Sequence, residues 1–303
     1  MRSQAALLAS ELTGDLPCAR CRYNLRGLSV RGVCPECGVP VRATLLAVVD
    51  PHASEIQPIF HPHLTAIGLQ LWSFSALLAA LATWLLRGAD LAHVFGLTRP
   101  GAGWPGETLP RAVPVLLLLS GIGATALIRP HALIPRRYIW AAAGACAAYL
   151  ALAAVSWRIH VDVDAWSSAV FFRNGARSAE RPLLRVASDV LVAAIALGLR
   201  PNARLLVARS LLLRSGDVDR QTLAALAGSA GVALLGDLLH LGSAIMDPSR
   251  SELVRLMGTM LIGLGSTLLT IGLIGVAWDC VRLWPATVAP PLALEDVVGQ
   301  RPG

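Results

Sequence analysis

Between Leu64 and Leu86 the chain runs for 23 residues without one charged side chain, and that stretch limits its folding choices more than any other feature. At 1.5 Å per residue a helix of this length crosses a hydrocarbon core of about 30 Å. Five more apolar runs follow. One extends from Ala112 to Ile128, with Pro114 near its start where a missing N–H costs least, and others from Tyr138 to Trp157 and from Leu183 to Leu199. The last two run from Thr222 to Met246 and, uncharged and rich in glycine, from Leu256 to Trp278. With 55% hydrophobic and only 15% charged residues in 303, the chain is too apolar for an ordinary soluble domain.

The expected fold class is therefore mainly α, a polytopic transmembrane helical bundle of about six spans. These lie near 64–86, 112–128, 138–157, 183–199, 222–246 and 256–278, inside a membrane domain of residues 61–282. An N-terminal region of residues 1–60 precedes it, and a flexible tail of residues 283–303 follows. The fourth run is the least apolar, because it contains Arg185 and Asp189 at a spacing that lets them pair on one helical face.

Aromatic residues mark the boundaries. Trp84, Tyr138, Trp140, Trp157, Trp278 and Trp284 fall at span ends, where an amphipathic ring favours the headgroup layer. Small residues, among them Ala141 to Ala143, Gly144, Ala227, Gly231, Gly263 and Gly265, would let helices approach closely where lipid offers no hydrophobic drive for association.

The net charge of +7 comes from arginine alone, since the chain has no lysine. The arginines concentrate between apolar runs, where they serve topology and can meet anionic headgroups, so the charge needs no nucleic-acid partner. Sixteen of the 26 lie on the side that holds the N-terminus, the 129–137 and 200–220 loops and the tail. This bias puts the N-terminal region in the cytoplasm. Arg2 followed by Ala5 to Ala9 imitates a signal peptide, but Glu11 and Asp15 interrupt too early. The N-terminus is expected to be retained, with residues 4–12 forming a short helical piece.

Four of the six cysteines crowd between positions 18 and 37, while Cys146 and Cys280 sit alone in or beside apolar runs. The pattern is Cys18-Ala-Arg-Cys21, twelve residues, then Cys34-Pro-Glu-Cys37-Gly38. Two residues between cysteines let a tight turn aim both sulfurs at one ion, and zinc takes four thiolates in a tetrahedron. Gly38 suits the positive φ that follows such a turn. A site of this kind belongs on the reducing, cytoplasmic side.

With Arg22-Tyr23-Asn24-Leu25-Arg26-Gly27-Leu28 between the pairs, residues 17–40 resemble the zinc-ribbon modules with rubredoxin-like knuckles that precede membrane spans in many bacterial proteins. Those modules often carry a Cys-x-Tyr-Asn/Asp-Leu-Arg-Gly-Leu stretch. The resemblance implies a small β ribbon with structural zinc on Cys18, Cys21, Cys34 and Cys37; iron is the alternative. Arg22 stands where such knuckles commonly have a small residue like glycine. Arg20, Arg22, Arg26, Arg31 and Arg42 against Asp15 and Glu36 give the region +3, and zinc with four thiolates brings −2. The remaining charge of about +1 favours a protein contact over a nucleic-acid one.

Within the membrane region, Asp237 and His240 share a helical face, and burying such an aspartate costs about 2.5–3.5 kcal/mol. They are candidates for an intramembrane proton or ion site; alternatively Asp237 pairs with His240 or with an arginine and fixes helix packing. His160, Asp162 and Asp164 alternate as they would on one side of a strand, a weaker cation candidate. His61 and His63 read as an interfacial turn. No His-Glu-x-x-His, Gly-x-Ser-Gly or P-loop occurs. The sequence thus suggests a non-enzymatic protein of the cell membrane, in contact with the lipid bilayer. Its ribbon would dock a protein partner or a second copy; a small transporter or channel component using Asp237 and His240 is the alternative.

Overall fold

Each of the six apolar runs folds as a helix. The computed structural model describes residues 11–50, 59–95, 97, 108–164, 179–207, 222–243, 245–246, 248–288, 292–293 and 297–298. After a short helix α1 (Val41–Val48) come α2 (Pro62–Val94), α3 (Thr108–Ala124), α4 (Arg136–Trp157), α5 (Glu180–Val207), α6 (Thr222–Ser243) and α7 (Pro248–Val288). A 3-10 turn over Thr125–Leu127 prolongs α3. All six long helices have the length and composition to cross a membrane, including the fourth, which does so as Glu180–Leu206 despite its charges. The chain divides into two units, one of residues 1–59 with 285–303 and one of residues 60–284.

In the larger unit, α2 to α6 pack each against the next in chain order. The sixth closes the ring, for Gln70 Nε2 of α2 donates to Cys280 O of α7 at 2.8 Å and Trp84 Nε1 donates to Thr270 Oγ1 at 2.9 Å. Large apolar side chains point outward, as with Leu150 and Met260 at 66% and 65% exposure, which suits contact with lipid tails. Close crossings rest on glycine. A Cβ on Gly123 would collide with the backbone of Trp72, and one on Gly265 would lie 2.5 Å from Ala233 N. At three other glycines expected at such crossings, Gly144, Gly231 and Gly263, an added Cβ would meet nothing within 4 Å. Periodicity alone does not tell the lipid-facing stripe from the packed one.

Polar groups bind the interior. Trp72 Nε1 donates to Tyr149 Oη at 2.8 Å, and Ser120 Oγ donates to Trp72 O at 2.9 Å, knotting α2, α3 and α4 together. Asn202, fully buried, turns its Nδ2 to the carbonyls of Leu127, Ile128 and Tyr138 at 2.7, 3.1 and 3.3 Å. At Leu127 and Ile128 it satisfies carbonyls left over at the end of α3 and its 3-10 extension, and at Tyr138 it ties that end to the first turn of α4.

The segment from Arg158 to Val163 departs from its expected alternating strand. It continues α4 as a π-helix. In a helical path His160 and Asp164 fall on one side, while Asp162 turns to Arg158.

The smaller unit is built on turns, with isolated bridges pairing Glu11 with Ser29, Pro17 with Asn24 and Val33 with Pro40. Leu12, Leu16, Leu25, Val41 and Val297 form a core exposed by 1% or less. The last of these revises the expectation of a flexible tail. Thr13 and Gly14 donate their N–H groups to Val297 O at 3.0 and 3.2 Å, and a two-residue strand β1 (Val49–Asp50) pairs in parallel with β2 (Leu292–Ala293). A ribbon this small gains core from the far end of the chain. Residues 4–10 of the expected N-terminal helix, and most of the 200–220 loop, lie outside the described residues; Glu11 and Leu12 sit in the bridged ribbon.

Candidate functional site

The two cysteine pairs fold as copies of one turn. Cys18 N–H donates to Tyr23 O and Cys34 N–H to Val39 O, both at 2.8 Å; Arg22 N–H returns to Cys18 O and Gly38 N–H to Cys34 O, both at 2.9 Å. The fifth residue of each turn is left-handed, Gly38 at φ 72° and Arg22 at φ 61°. Arg22 is the one non-glycine residue in this conformation among the described residues.

These turns bring Cys18, Cys21, Cys34 and Cys37 together with all four sulfurs within 4.8 Å of one another. Sγ of Cys18 is 3.5 Å from that of Cys37, and Sγ of Cys21 is 3.5 Å from that of Cys34. A tetrahedron with zinc–sulfur bonds of 2.3 Å has edges of about 3.8 Å, so the set fits a metal ion at its centre. Thr44 Oγ1 lies 4.0 Å from Cys18 Sγ as a supporting donor. The thiols are not equivalent. Backbone N–H groups of Cys21 and Arg20 beside Cys18 lower its pKa to about 6. At Cys21 the Tyr23 N–H pulls downward but is outweighed by desolvation and the other thiols, which push it up to about 12. Four sulfurs this close do not all ionise without a cation among them.

The bundle holds a second constellation, at the end where α2, α4 and α6 finish and α3, α5 and α7 begin. Asp164 accepts from Arg181 Nε at 2.8 Å and lies 2.7 Å from a terminal nitrogen of Arg87, with His160 Nδ1 at 3.5 Å. Deeper, Arg185 reaches across to Asp237, 1% exposed, at 3.0 and 3.2 Å from its two oxygens. This replaces the expected Arg185 to Asp189 pair. Asp189 lies beside Asp237.

The expected Asp237 and His240 site is not assembled. His240 Nε2 faces α7, 3.0 Å from both Arg255 O and Thr259 Oγ1. Its ring packs over Gly258. Since α6 ends at Ser243, Asp237 is about 9 Å from the helix end, shallower than a span to Met246 implies. Among the described residues the four cysteines are the one group arranged to hold a metal ion. His61 and His63 flank the first residue of α2 and are exposed. Comparison with protein families, curated proteins and solved structures yields no match.

Arg87, Arg181 and Asp164 belong to three separate segments, and no spacing in the sequence links them. The available signal was weak: each arginine lies within a turn or two of a span end where a lone charge would otherwise meet lipid.

Proposed function

We propose that the chain is a non-enzymatic, multi-pass protein of the cell membrane whose four-cysteine ribbon is a cytoplasmic, zinc-stapled docking module, with the helical bundle as its anchor. The observation that carries this is the duplicated cysteine turn, which aims four sulfurs at one point in a unit whose buried core is small. Such a unit draws its stability from the ion, and zinc is the metal that closed four-thiolate sites of this geometry take. The arginine distribution and the reducing chemistry of free thiols support the cytoplasmic side. The residues around the site carry little net charge once the thiolates are counted, which supports a protein partner over a nucleic acid.

Metal analysis of the purified full-length chain is expected to give one zinc per chain, lost in Cys34→Ser. Affinity purification from native membranes, wild type against Cys34→Ser, then tests docking. A partner retained equally by both would end the docking role while leaving the metal site intact. The alternative of an ion path through Asp237 and His240 is weakened, because each has its own separate partner.

A further inference from the structure

The six helices enclose a cavity of about 560 Å³, within the usual size of ligand pockets. Along α2 its lining runs from Trp72 to Leu91, and along α7 from Thr259 to Val276. At 1.5 Å per residue the cavity is therefore some 25 to 28 Å long, with a mean cross-section of about 20 Å². That is room for one extended hydrocarbon chain and not for two abreast. Trp72 and Tyr149, bonded to each other, stand in the wall at the inner end, and from there to Arg87 the lining is mostly apolar.

Two arginines of the bundle-end cluster are in the wall, Arg87 and Arg185, and both stand near Arg181. Arg185 lies one turn deeper on α5 than Arg181, yet its side chain is 18% exposed against 9%. Exposure that rises with depth is exposure to the cavity. Arg87, with its side chain 15% exposed, is 15 residues along α2 from Trp72, a distance of about 22 Å. The chains of one lipid leaflet span about 15 Å, half of a hydrocarbon core of about 30 Å, so one such chain, even stretched, fits between these arginines and Trp72.

The charges decide the head group. Asp189 is hydrogen-bonded to Asp237, and two carboxyls share such a bond only when one of them keeps its proton, because an ionised carboxylate has no donor. The pair therefore carries one negative charge. Among the described residues of the cluster, Arg87, Arg181 and Arg185 meet Asp164 and that pair, three positive charges against two, and His160 adds no negative one. Arg158, Asp162 and Glu180 lie outside it, 39% to 53% exposed, where water screens them. One singly charged anionic head completes the balance. An alcohol leaves a positive charge uncompensated at low dielectric, an ammonium adds to it, and a phosphate monoester at about −1.5 to −2 overshoots. A guanidinium offers five N–H donors in a planar fork, so Arg87 and Arg185 can each serve a carboxylate of the protein and one of a ligand together. We propose that the bundle binds one long-chain carboxylate, its head between Arg87 and Arg185 and its chain along the tube toward Trp72. This rests on the bundle alone and is independent of the ribbon's role.

The test uses the full-length protein, stripped of lipid and placed in nanodiscs of zwitterionic phospholipid, with hexadecanoate brominated at its terminal carbon. A bromine at that end reaches Trp72, which is 6% exposed and so shielded from the surrounding lipid. Saturable quenching is expected, competed by hexadecanoate and at least about tenfold less well by hexadecanol or hexadecylamine. Arg87→Gln and Arg185→Gln should each weaken binding of the carboxylate about tenfold and leave the inhibition constant of hexadecanol unchanged, the second reading showing that the tube is intact. Ala80→Phe, which fills the tube, should abolish the saturable part while melting like wild type. If no saturable phase appears, or the alcohol or the amine competes as well as the carboxylate, the proposal is wrong. Wild-type affinity for the carboxylate in both arginine variants would equally overturn it.

Discussion

The ribbon and the bundle gather ionisable groups in opposite ways. In the ribbon the four sulfurs come from two turns within 20 residues, and they would need a cation among them to ionise together. In the bundle the charges are of both signs and come from different helices, Arg87 from α2, Asp164 from the end of α4, Arg181 and Arg185 from α5 and Asp237 from α6. The ribbon's four cysteines lie close together in the sequence, whereas the bundle's charges meet only through the packing of separate helices. Damage to the first should stay local, and damage to the second should spread.

The largest expected effect tests the local side of this contrast. In Cys34→Ser, or after chelation, the amides of residues 11–50 should lose their protection from hydrogen exchange entirely, because the remaining core is too small to hold the turns alone. Protection in α2 to α6 should be unchanged. Exchange rising in the bundle as well would show that the two regions do not fail separately.

Next in size is Asp237→Leu, which removes the buried carboxylate that Arg185 holds at 3.0 Å. A loss of about 3–5 kcal/mol is expected, read by denaturant unfolding in detergent. The double variant with Arg185→Met should recover most of it, since an apolar pair of similar volume needs no compensation. A double variant no more stable than Asp237→Leu would mean that the ion pair specifies the packing and does not merely neutralise itself.

The same difference of range explains what could be read from the residues beforehand. Uncharged runs of helical length and paired cysteines are local features, so six helices and the cluster of four cysteines were legible, as was the left-handed Gly38. What escaped was non-local. Arg185 has an acid one turn away in its own helix, Asp189, yet it bonds Asp237 on α6, because packing aims it across the bundle. Residues 160–164 alternate apolar and polar like a strand, but α4 simply runs on, and the hydrogen bonds of an existing helix outweigh a five-residue pattern. Val297 joins a core that begins at Leu12, a partnership no window of sequence contains.

Asn202 sharpens the bundle half of the comparison with an uncharged group. Asn202→Leu removes one amide that serves three carbonyls, and a destabilisation of about 1–3 kcal/mol is expected. Because those carbonyls belong to the junction of α3 and α4, exchange should quicken there as well as in α5. An effect confined to α5 would count against spreading damage.

The smallest effect lies in the ribbon, where its two turns differ at one residue. Gly38 takes φ 72° at no steric cost, whereas Arg22 at φ 61° sets its Cβ against the neighbouring carbonyl, at roughly 1–2 kcal/mol. Arg22→Gly relieves that strain but also frees the unfolded chain, which returns part of the gain. The net should be a stabilisation of up to about 1 kcal/mol, seen as slower metal loss to a chelator with the bundle's melting unmoved. Gly38→Arg makes the second turn like the first and should speed metal loss by a similar factor. If Arg22→Gly instead hastened metal loss, the arginine side chain would be holding the knuckle through a contact that outweighs its backbone strain, and the two turns would not be equivalent halves of one site.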